Sequence, residues 1–243
     1  MNRSEIEADQ TAYRATEPSF LGRGIERLTN PLGSALAGVL PKSVVERIVK
    51  GLDKAAGMPA LVSFNHNVAD MDAARKTAFT IERTARAINA SSGAAAGFGG
   101  AITAGADIPA TIAVALRNIR DTGRAYGFVV EGEREQLFRL QILEIAALDN
   151  HAEKIERLDA LEADINDDGS LNPVATKNVE PLVDQIVERI SRALAFATFR
   201  RRAGMLVPVI GSAVGGFVNA QFQRDVSRAA RFAFQARRLR QDA

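Results

Sequence analysis

The chain has 243 residues, 47% of them hydrophobic and 25% charged, and its net charge is +2. This is the composition of an ordinary globular protein, long enough for one sizeable core or two small ones. The absence of cysteine excludes disulfides, thiolate nucleophiles and Cys-ligated zinc. Two distant histidines make a multi-His metal site improbable, and the absence of Trp leaves few stacking platforms for single-stranded nucleic acid.

The N-terminal end is polar and has no apolar core of the signal-peptide kind, so we expect a cytoplasmic protein. A helical arm is predicted over residues 3–16, ending before Pro18. We assign residues 1–30 to this N-terminal helical arm and residues 31–243 to the main domain. Short helices are predicted over residues 20–28 and after Pro41, where Ser43 and Glu46 fit a capping box.

Helical periodicity continues along nearly all of the remaining chain, without hairpin signals. Ala, Leu, Glu, Arg and Gln dominate, and these residues favour helix. Helices are predicted over about 68–90, 109–124, one or two over 131–164, then about 174–202 and the C-terminal part. The pattern predicts an all-α fold, a multi-helix bundle with close-packed Gly/Ala-rich helices.

Residues 91–110, "SSGAAAGFGGAITAGADIPA", raise the question of a phosphate-binding loop. A Walker A loop needs a lysine after its glycines, and none lies between Lys76 and Lys154. No strand pattern precedes the segment, as a dinucleotide-binding fingerprint would require. Nucleotide binding is therefore disfavoured.

The same segment has small residues at every fourth position, which would form a flat strip on a helix and allow a close helix contact. The strip comprises Gly93, Gly97, Ala101, Gly105 and Pro109. Each glycine inside a helix costs about 0.8–1 kcal/mol relative to Ala, so packing must compensate or the helix must be interrupted. Pro109 suits the first turn of the next helix, with Asp107 as its N-cap.

A second charge-free segment spans residues 203–223 and repeats the four-residue spacing at Gly211, Gly215 and Asn219. We predict that this face packs against the first glycine-rich strip. Pro208 and four glycines make a membrane-spanning helix a weak interpretation. Packing in a soluble core or shallow insertion into a lipid surface is favoured.

The C-terminal helix is predicted to carry a row of arginines on one face, at spacings of four, three and seven: Arg224, Arg228, Arg231 and Arg238. This row is typical of a solvated face, of a contact with the acidic stretch 131–168, or of a surface for anionic lipid headgroups. Each basic residue near such lipids contributes about 1 kcal/mol. No recognised nucleic-acid module accompanies it, so no nucleic-acid partner is expected.

Two stretches have the spacing of metal ligands. Asp164, Asn166 and Asp168 with Gly169 fit the start of a calcium loop, but Ala175 stands where a bidentate Glu is needed. His66 and Asp70 are four residues apart without an identifiable third ligand, and an asparagine cap at the helix entrance is the favoured interpretation. We expect no metal and no cofactor.

Four stretches together resemble the EcsC family: "LPKSVVERIVKGLDKA", the glycine-rich run into "GADIPATIAVALRNIRDTGRAYGF", "EREQLFRLQIL", and "VPVIGSAVGGFVNAQFQRDVSRAARFAFQARRL". The resemblance implies a largely helical protein similar to one found beside an ABC transporter in some bacteria, with membrane- or lipid-associated relatives and no established catalytic set. The family's recurrent positions are Asp107, Pro109, Arg117, Tyr126, Gly127, Gly211, Gly215 and Asn219. Val129 departs from the Asp that often follows the Tyr-Gly-Phe-like motif.

The leading hypothesis is a non-enzymatic helical protein that associates with a membrane surface or lipid, peripherally at the inner membrane. One alternative is an enzyme acting on a lipid-like substrate, with Asp107 as general base and Arg117 as anion holder. Tyr126 and Asn219 are its other polar candidates. In the structural interpretation, which is favoured, these residues provide a cap, a core ion pair and a buried hydroxyl. Another alternative is a soluble adaptor that binds an integral-membrane transporter subunit. The oligomeric state is not readable from the sequence.

Overall fold

In a computed structural model, six helices account for most of the residues that the structure describes. They are α1 (Arg3–Ala15), α2 (Met71–Phe98), α3 (Ala104–Ala125), α4 (Glu133–Ala147), α5 (His151–Ala163) and α6 (Pro208–Gln241). The structure describes residues 3–17, 55, 57–98, 104–128, 131–148, 150–173, 183, 185–186 and 208–241, with the backbone alone for 91–98, 104–109 and 208–219. Within this part the all-α prediction is confirmed, since an isolated Ile165–Leu171 bridge is its sole β pairing.

Helix α6 is the centre of the bundle, and α1 to α5 all pack against it. Its most extensive contact among the described helices is with α2. The C-terminal half of α6 alternates Ala with Phe on its buried faces, which lets neighbouring helices approach closely while the rings fill the space between them. These buried residues include Val226, Ala229, Ala230, Phe232, Ala233 and Phe234.

Contacts fix the direction of each helix relative to α6. Glu82 on α2 pairs with Arg231, while Arg75, seven residues earlier on α2, bonds Asp9 of α1 beside the Gln10–Gln235 contact. Residue numbers fall along α2 as they rise along α6, so these two helices are antiparallel. Helix α3 is parallel to α6, because Asn118 bonds Ser227 and Tyr126 bonds Gln235. The C-terminal end of α2 and the N-terminal ends of α3 and α6 therefore share one end of the bundle.

The glycine-rich segment is divided between two helices. Gly93 and Gly97 lie on α2, whereas Gly105 and Pro109 lie on α3, which runs in the opposite direction. The small-residue strip predicted on one continuous helix is therefore interrupted. This is one of the two outcomes expected from the free-energy cost of several glycines inside a helix. Helix α3 begins at Ala104, so Asp107 lies inside the first turn and the N-cap prediction is wrong.

Helices α4 and α5 form an antiparallel hairpin on the C-terminal half of α6, so the region 131–164 contains two helices. Asn150 caps α5 by accepting a 3.1 Å hydrogen bond from the Glu153 amide. After α5 the predicted loop is confirmed over residues 166–173, where Gly169 has a φ of 74°. The loop folds back on α6, and Arg237 donates to the Gly169 carbonyl at 2.8 Å.

Helix α1 packs along α6 and is anchored at its C-terminal end. Gln10 donates to the Phe232 carbonyl at 3.1 Å, and Tyr13 packs 5.1 Å from the Phe232 ring. Lys154 of α5 donates to the carbonyls of Tyr13 and Thr16 at 3.1 and 2.8 Å. These bonds satisfy carbonyls that the end of a helix leaves without intrahelical partners.

The other sequence expectations fall outside the described residues. They include the helices predicted over residues 20–28, after Pro41 and over most of 174–202, and the domain boundary at residue 30. No described helix reaches the length and hydropathy that crossing a membrane requires.

Candidate functional site

The densest cluster of buried polar groups in the described residues lies on α3, in the motif "LRNIRDTGRAYGF" at residues 116–128. Two of its arginines, Arg117 and Arg120, bond to the backbone of the preceding segment, residues 57–66, which we call the strap. Arg117 donates from Nε and Nη2 to the carbonyl oxygen of Pro59, at 3.1 and 2.7 Å. Bonds from a charged donor are the stronger kind, so this contact holds the strap firmly against α3.

Arg120 and Asp121 complete the attachment. Arg120 bonds Asp121 at 2.9 Å and donates to the carbonyls of Ala55 and Met58 at 3.2 and 3.0 Å. The other carboxylate oxygen of Asp121 accepts from the amide of Leu61 at 2.6 Å. Both members of this ion pair thus bond to backbone groups, those of Ala55 and of the strap, which compensates their burial.

The charge balance within the attachment is uneven. Two guanidinium groups, of Arg117 and Arg120, share the single carboxylate of Asp121. Burial lowers the pKa of Arg117; the Asp121 carboxylate raises it and the neighbouring Arg120 lowers it. Backbone carbonyl dipoles supply the remaining compensation, and all three residues are at most 8% exposed.

A second set of polar side chains joins α3 to α6. Asn118 donates to the Ser227 hydroxyl at 2.7 Å, and Ser227 in turn donates to the Gln223 carbonyl at 2.9 Å. The Gln223 amide reaches the Thr111 carbonyl at 3.2 Å. Such a connected network fixes the register of two helices, because a shift of one turn would leave buried amides unpaired.

Tyr126 and Gly127 directly follow the last residue of α3, Ala125. The Tyr126 ring is fully buried and its hydroxyl accepts a 3.3 Å bond from the Gln235 amide. Burial raises the Tyr126 pKa to about 12, and the Gln235 bond lowers it somewhat. Gly127 has a φ of 87°, and a Cβ there would lie 3.0 Å from the Cβ of Val68. Tyr126 is therefore a neutral anchor, and Gly127 makes a turn against which Val68 packs closely.

The structure brings three of the eight predicted motif positions into this one cluster: Arg117, Tyr126 and Gly127. Asp107 and Pro109 lie on α3, and Gly211, Gly215 and Asn219 on α6, where the backbone alone is described. Sequence reasoning missed Asn118, Asp121, Gln223 and Ser227. The available signal was the placement of Asn118 and Asp121 within an otherwise apolar buried face of α3.

The four arginines expected to face lipid do not share one environment. Arg224 is exposed, whereas Arg228 donates to Thr16 at 2.8 Å and Arg231 pairs with Glu82. Arg238 donates to Gln241 at 3.0 Å. Helix α6 has neighbours on most of its circumference, which the amphipathic pattern of its sequence did not indicate.

The most buried arginine of α6 is one that the predicted row left out. Arg237 forms a two-pronged ion pair with Glu135, at 3.0 and 2.9 Å, and stacks 4.0 Å from the Phe128 ring. This contact attaches α4 and the end of α3 to α6.

The two stretches with metal-ligand spacing are engaged in structural contacts. His66 donates from Nε2 to the Ala125 carbonyl at 2.8 Å, and its Nδ1 accepts from Thr77 at 3.2 Å. Asp70 caps α2 by accepting from the amides of Asp72 and Ala73, which replaces the asparagine cap expected from the sequence. The Ala73 amide contributes most to lowering the Asp70 pKa.

In the loop after α5, Asp164 pairs with Arg134 at 3.0 Å and accepts from Gln141 at 2.8 Å. Asp168 accepts from the Ser170 amide at 2.9 Å, which stabilises the turn. Across the described ranges, no three His, Asp or Glu side chains gather as metal ligands would.

Comparison with known proteins identifies one family. The model of the EcsC protein family matches residues 3–239. The match includes α1, whose side chains pack on α6. No curated protein matches the chain, and no solved structure does.

Proposed function

This chain belongs to the EcsC protein family, and we propose that it is a non-enzymatic helical protein that associates with the surface of a lipid membrane. The observation that carries the proposal is the position of three charge-poor helix ends at one end of the bundle. We call this region the charge-free end; it comprises residues 87–98 of α2, 104–116 of α3 and 208–223 of α6. Asp107 is its single charged residue.

The length of the charge-free end suits one leaflet. Twelve residues of α2 span about 18 Å and sixteen residues of α6 about 24 Å at 1.5 Å per residue. One leaflet contributes roughly half of the 30 Å hydrocarbon core of a bilayer. Shallow insertion therefore needs no membrane-spanning helix.

The polar motif supports a structural role for the residues that an enzyme would need. Arg117 donates two hydrogen bonds to the Pro59 carbonyl, and the Tyr126 hydroxyl is buried against Gln235. A substrate would have to displace the strap to reach Arg117, and to separate the ends of α3 and α6 to reach the Tyr126 hydroxyl. The motif is better explained as a set of contacts that stabilises the fold and so holds the charge-free end in place.

Flotation of the protein with vesicles of bacterial lipid extract tests the proposal. We expect the protein to float with vesicles and to remain at the bottom without them. Ile88→Glu places a charge on the side of the charge-free end, at a residue that is 38% exposed, and should weaken flotation. Val68→Glu is the matched control, since Val68 is 43% exposed beside Gly127 at the opposite end.

Absence of flotation with any vesicle would overturn the proposal. Equal flotation of the Ile88→Glu and Val68→Glu proteins would show that the charge-free end is not the membrane-facing surface. Asp107→Asn addresses the enzymatic alternative: unchanged flotation and folding with loss of a lipid-modifying activity would favour an enzyme.

A further inference from the structure

A group of arginines lies along one edge of the contact between α2 and α6. Arg231 pairs with Glu82, and its guanidinium lies 4.3 Å from the centre of the Phe79 ring. Phe79 is 38% exposed, so this contact marks the solvent-facing edge of the helix pair. We call this surface the α2–α6 edge; it comprises Phe79, Glu82, Arg83, Arg86, Arg224 and Arg231.

Helix geometry places Arg86 and Arg224 opposite each other on this edge. Seven residues are close to two turns of an α-helix. Arg86 follows Phe79 by seven residues on α2, and Arg224 precedes Arg231 by seven on α6. Because the helices are antiparallel, both positions lie two turns toward the charge-free end from the Phe79–Arg231 contact. Two guanidinium groups therefore face the same part of the edge.

These cations are incompletely neutralised. Glu82 is the single carboxylate of the edge, is 7% exposed, and already bonds Arg231 while lying 3.7 Å from Arg86. Arg224 and Arg83 are exposed, and the buried Nε of Arg86 has no hydrogen-bond partner in the part of the chain that the structure describes. The carboxylate of the neighbouring Asp225 raises the pKa of Tyr13 and of Lys154. It therefore lies on the side of α6 that faces α1 and α5. Counted over the described residues, the edge carries four arginines and one carboxylate, an excess of three positive charges.

The edge is continuous with the charge-free end. Ala87 and Ile88 follow Arg86 directly and are exposed, and no charged residue follows them on α2. Arginine places its aliphatic stem along apolar surface while its guanidinium stays at the polar boundary. Guanidinium groups also match phosphate oxygens in a two-pronged geometry.

We infer that the α2–α6 edge binds the phosphate groups of anionic lipid headgroups and so orients the charge-free end toward the acyl chains. The inference rests on the proposed membrane association and adds the lipid class and the residues that select it. The acidic α4–α5 hairpin packs on the other half of α6, through Phe138–Phe234 and Glu135–Arg237, away from the anionic surface.

The test compares two proteins that lose the same charge at different ends. Arg83→Gln/Arg86→Gln/Arg224→Gln neutralises the edge. Arg3→Gln/Arg124→Gln/Arg240→Gln neutralises three exposed arginines whose ion pairs lie at the opposite end, with Glu7, Glu131 and Asp167. Binding is measured by co-sedimentation with phosphatidylcholine vesicles and with vesicles that also contain phosphatidylglycerol.

We expect tighter binding to the phosphatidylglycerol vesicles, weakening as salt is added. The edge variant should lose roughly a hundredfold in affinity for them, at about fivefold for each cation. The control variant should bind as the unmodified protein does. Circular dichroism and urea unfolding of both variants establish that they are folded.

A site-specific label gives an independent readout, because the natural chain has no cysteine. An environment-sensitive fluorophore on Ile88→Cys should shift to the blue when phosphatidylglycerol vesicles are added. The same fluorophore on Val68→Cys should not shift.

The remaining outcomes separate this inference from the proposed function. Absence of binding to every vesicle overturns both. Equal binding to neutral and anionic vesicles, or equal losses in the two arginine variants, overturns the edge inference and leaves membrane association standing. Calorimetric binding of inorganic phosphate to the edge as tight as vesicle binding would assign the edge to free phosphate and overturn the lipid assignment.

Discussion

Arg117 places two donors on one carbonyl oxygen, that of Pro59, at 3.1 and 2.7 Å. A family motif that looks like a catalytic or anion-binding sequence is thereby used to fasten one segment of backbone onto a helix. Asp121 adds the complementary bond by accepting from the Leu61 amide. The Pro59 carbonyl and the Leu61 amide of the strap thus both form hydrogen bonds with side chains of α3. Buried backbone groups require such partners.

Removal of the Arg117 guanidinium should loosen the strap. Arg117→Ala is expected to lower the free energy of unfolding by about 2–3 kcal/mol, the range for hydrogen bonds from a charged donor whose loss leaves a buried acceptor unpaired. Urea unfolding measures this loss, and hydrogen exchange should show faster exchange at the Leu61 amide.

Arg124→Ala is the control, since Arg124 is half-exposed and its 3.3 Å pair with Glu131 lies at the surface. Its loss should cost under about 1 kcal/mol. Equal losses in the two variants, or unchanged exchange at Leu61, would contradict the assignment of Arg117 as the fastener of the strap.

Gly169 and Gly132 allow the cost of backbone strain to be separated from the cost of a steric clash. Both have positive φ values, 74° and 92°. A Cβ on Gly169 would lie 2.7 Å from the Arg237 carbonyl oxygen and 2.5 Å from Cγ of Gln241, whereas one on Gly132 would meet nothing within 4 Å.

Gly132 combines its positive φ with an extended ψ of 163°, a conformation that is nearly confined to glycine. Gly132→Ala should therefore cost about 1–3 kcal/mol in backbone strain. Gly169→Ala adds a backbone clash and should cost about 1–3 kcal/mol more. Thermal and urea unfolding of the two variants give the difference. Equal costs would mean that the loop after α5 can move away from α6 without penalty.

Lys154 should make stability rise with pH in the alkaline range. Burial lowers its pKa from 10.5 to about 8; Arg228 lowers it further and Asp225 raises it. Between these two values the unfolded chain binds a proton at Lys154 that the native protein does not. The contribution of Lys154 to stability therefore grows as pH rises from about 8 to 10.5, and is lost as pH falls through 8.

The measurement is the urea midpoint of the natural protein and of Lys154→Gln across this pH window. The urea midpoint of the natural protein should rise relative to that of Lys154→Gln as pH rises. A ¹³C titration of the Lys154 side chain locates the transition directly. A titration near 10.5, with parallel pH profiles for the two proteins, would contradict this prediction.

The positions of the helices were predicted better from the sequence than the contacts between them. Periodicity located α1, α4, α5 and the C-terminal helix because each has local signals, such as the cap at Asn150. It could not show that Asp70 caps α2 or that Arg228 and Arg231 of α6 face other helices. A row of arginines has the same spacing whether it meets water or a partner such as Glu82. The strap contacts join residues about 60 positions apart, so no local pattern encodes them.

The pairing predicted between the two small-residue faces can now be made more specific. Phe79 contacts Arg231 at 4.3 Å. Gly97 follows Phe79 by eighteen residues, and Ala213 precedes Arg231 by eighteen, which is five full turns on each antiparallel helix. If the two helices stay together along their length, Gly97 meets Ala213. Gly215 is turned by about 200° from Ala213 at 100° per residue. A contact between Gly97 and the predicted face that contains Gly215 therefore requires the opposite side of α6.

Two double-cysteine proteins separate these faces, and the chain contributes no background cysteine. Gly97→Cys/Ala213→Cys should be joined within one chain by a short bifunctional maleimide. Gly97→Cys/Gly215→Cys, almost level with it along the helix axis, should not be joined, because the body of α6 lies between the two thiols. Mobility on a denaturing gel and thiol titration report the result. Cross-linking of the second protein alone would return the contact to the Gly211, Gly215 and Asn219 face and would show that α6 rotates relative to α2 beyond Arg224.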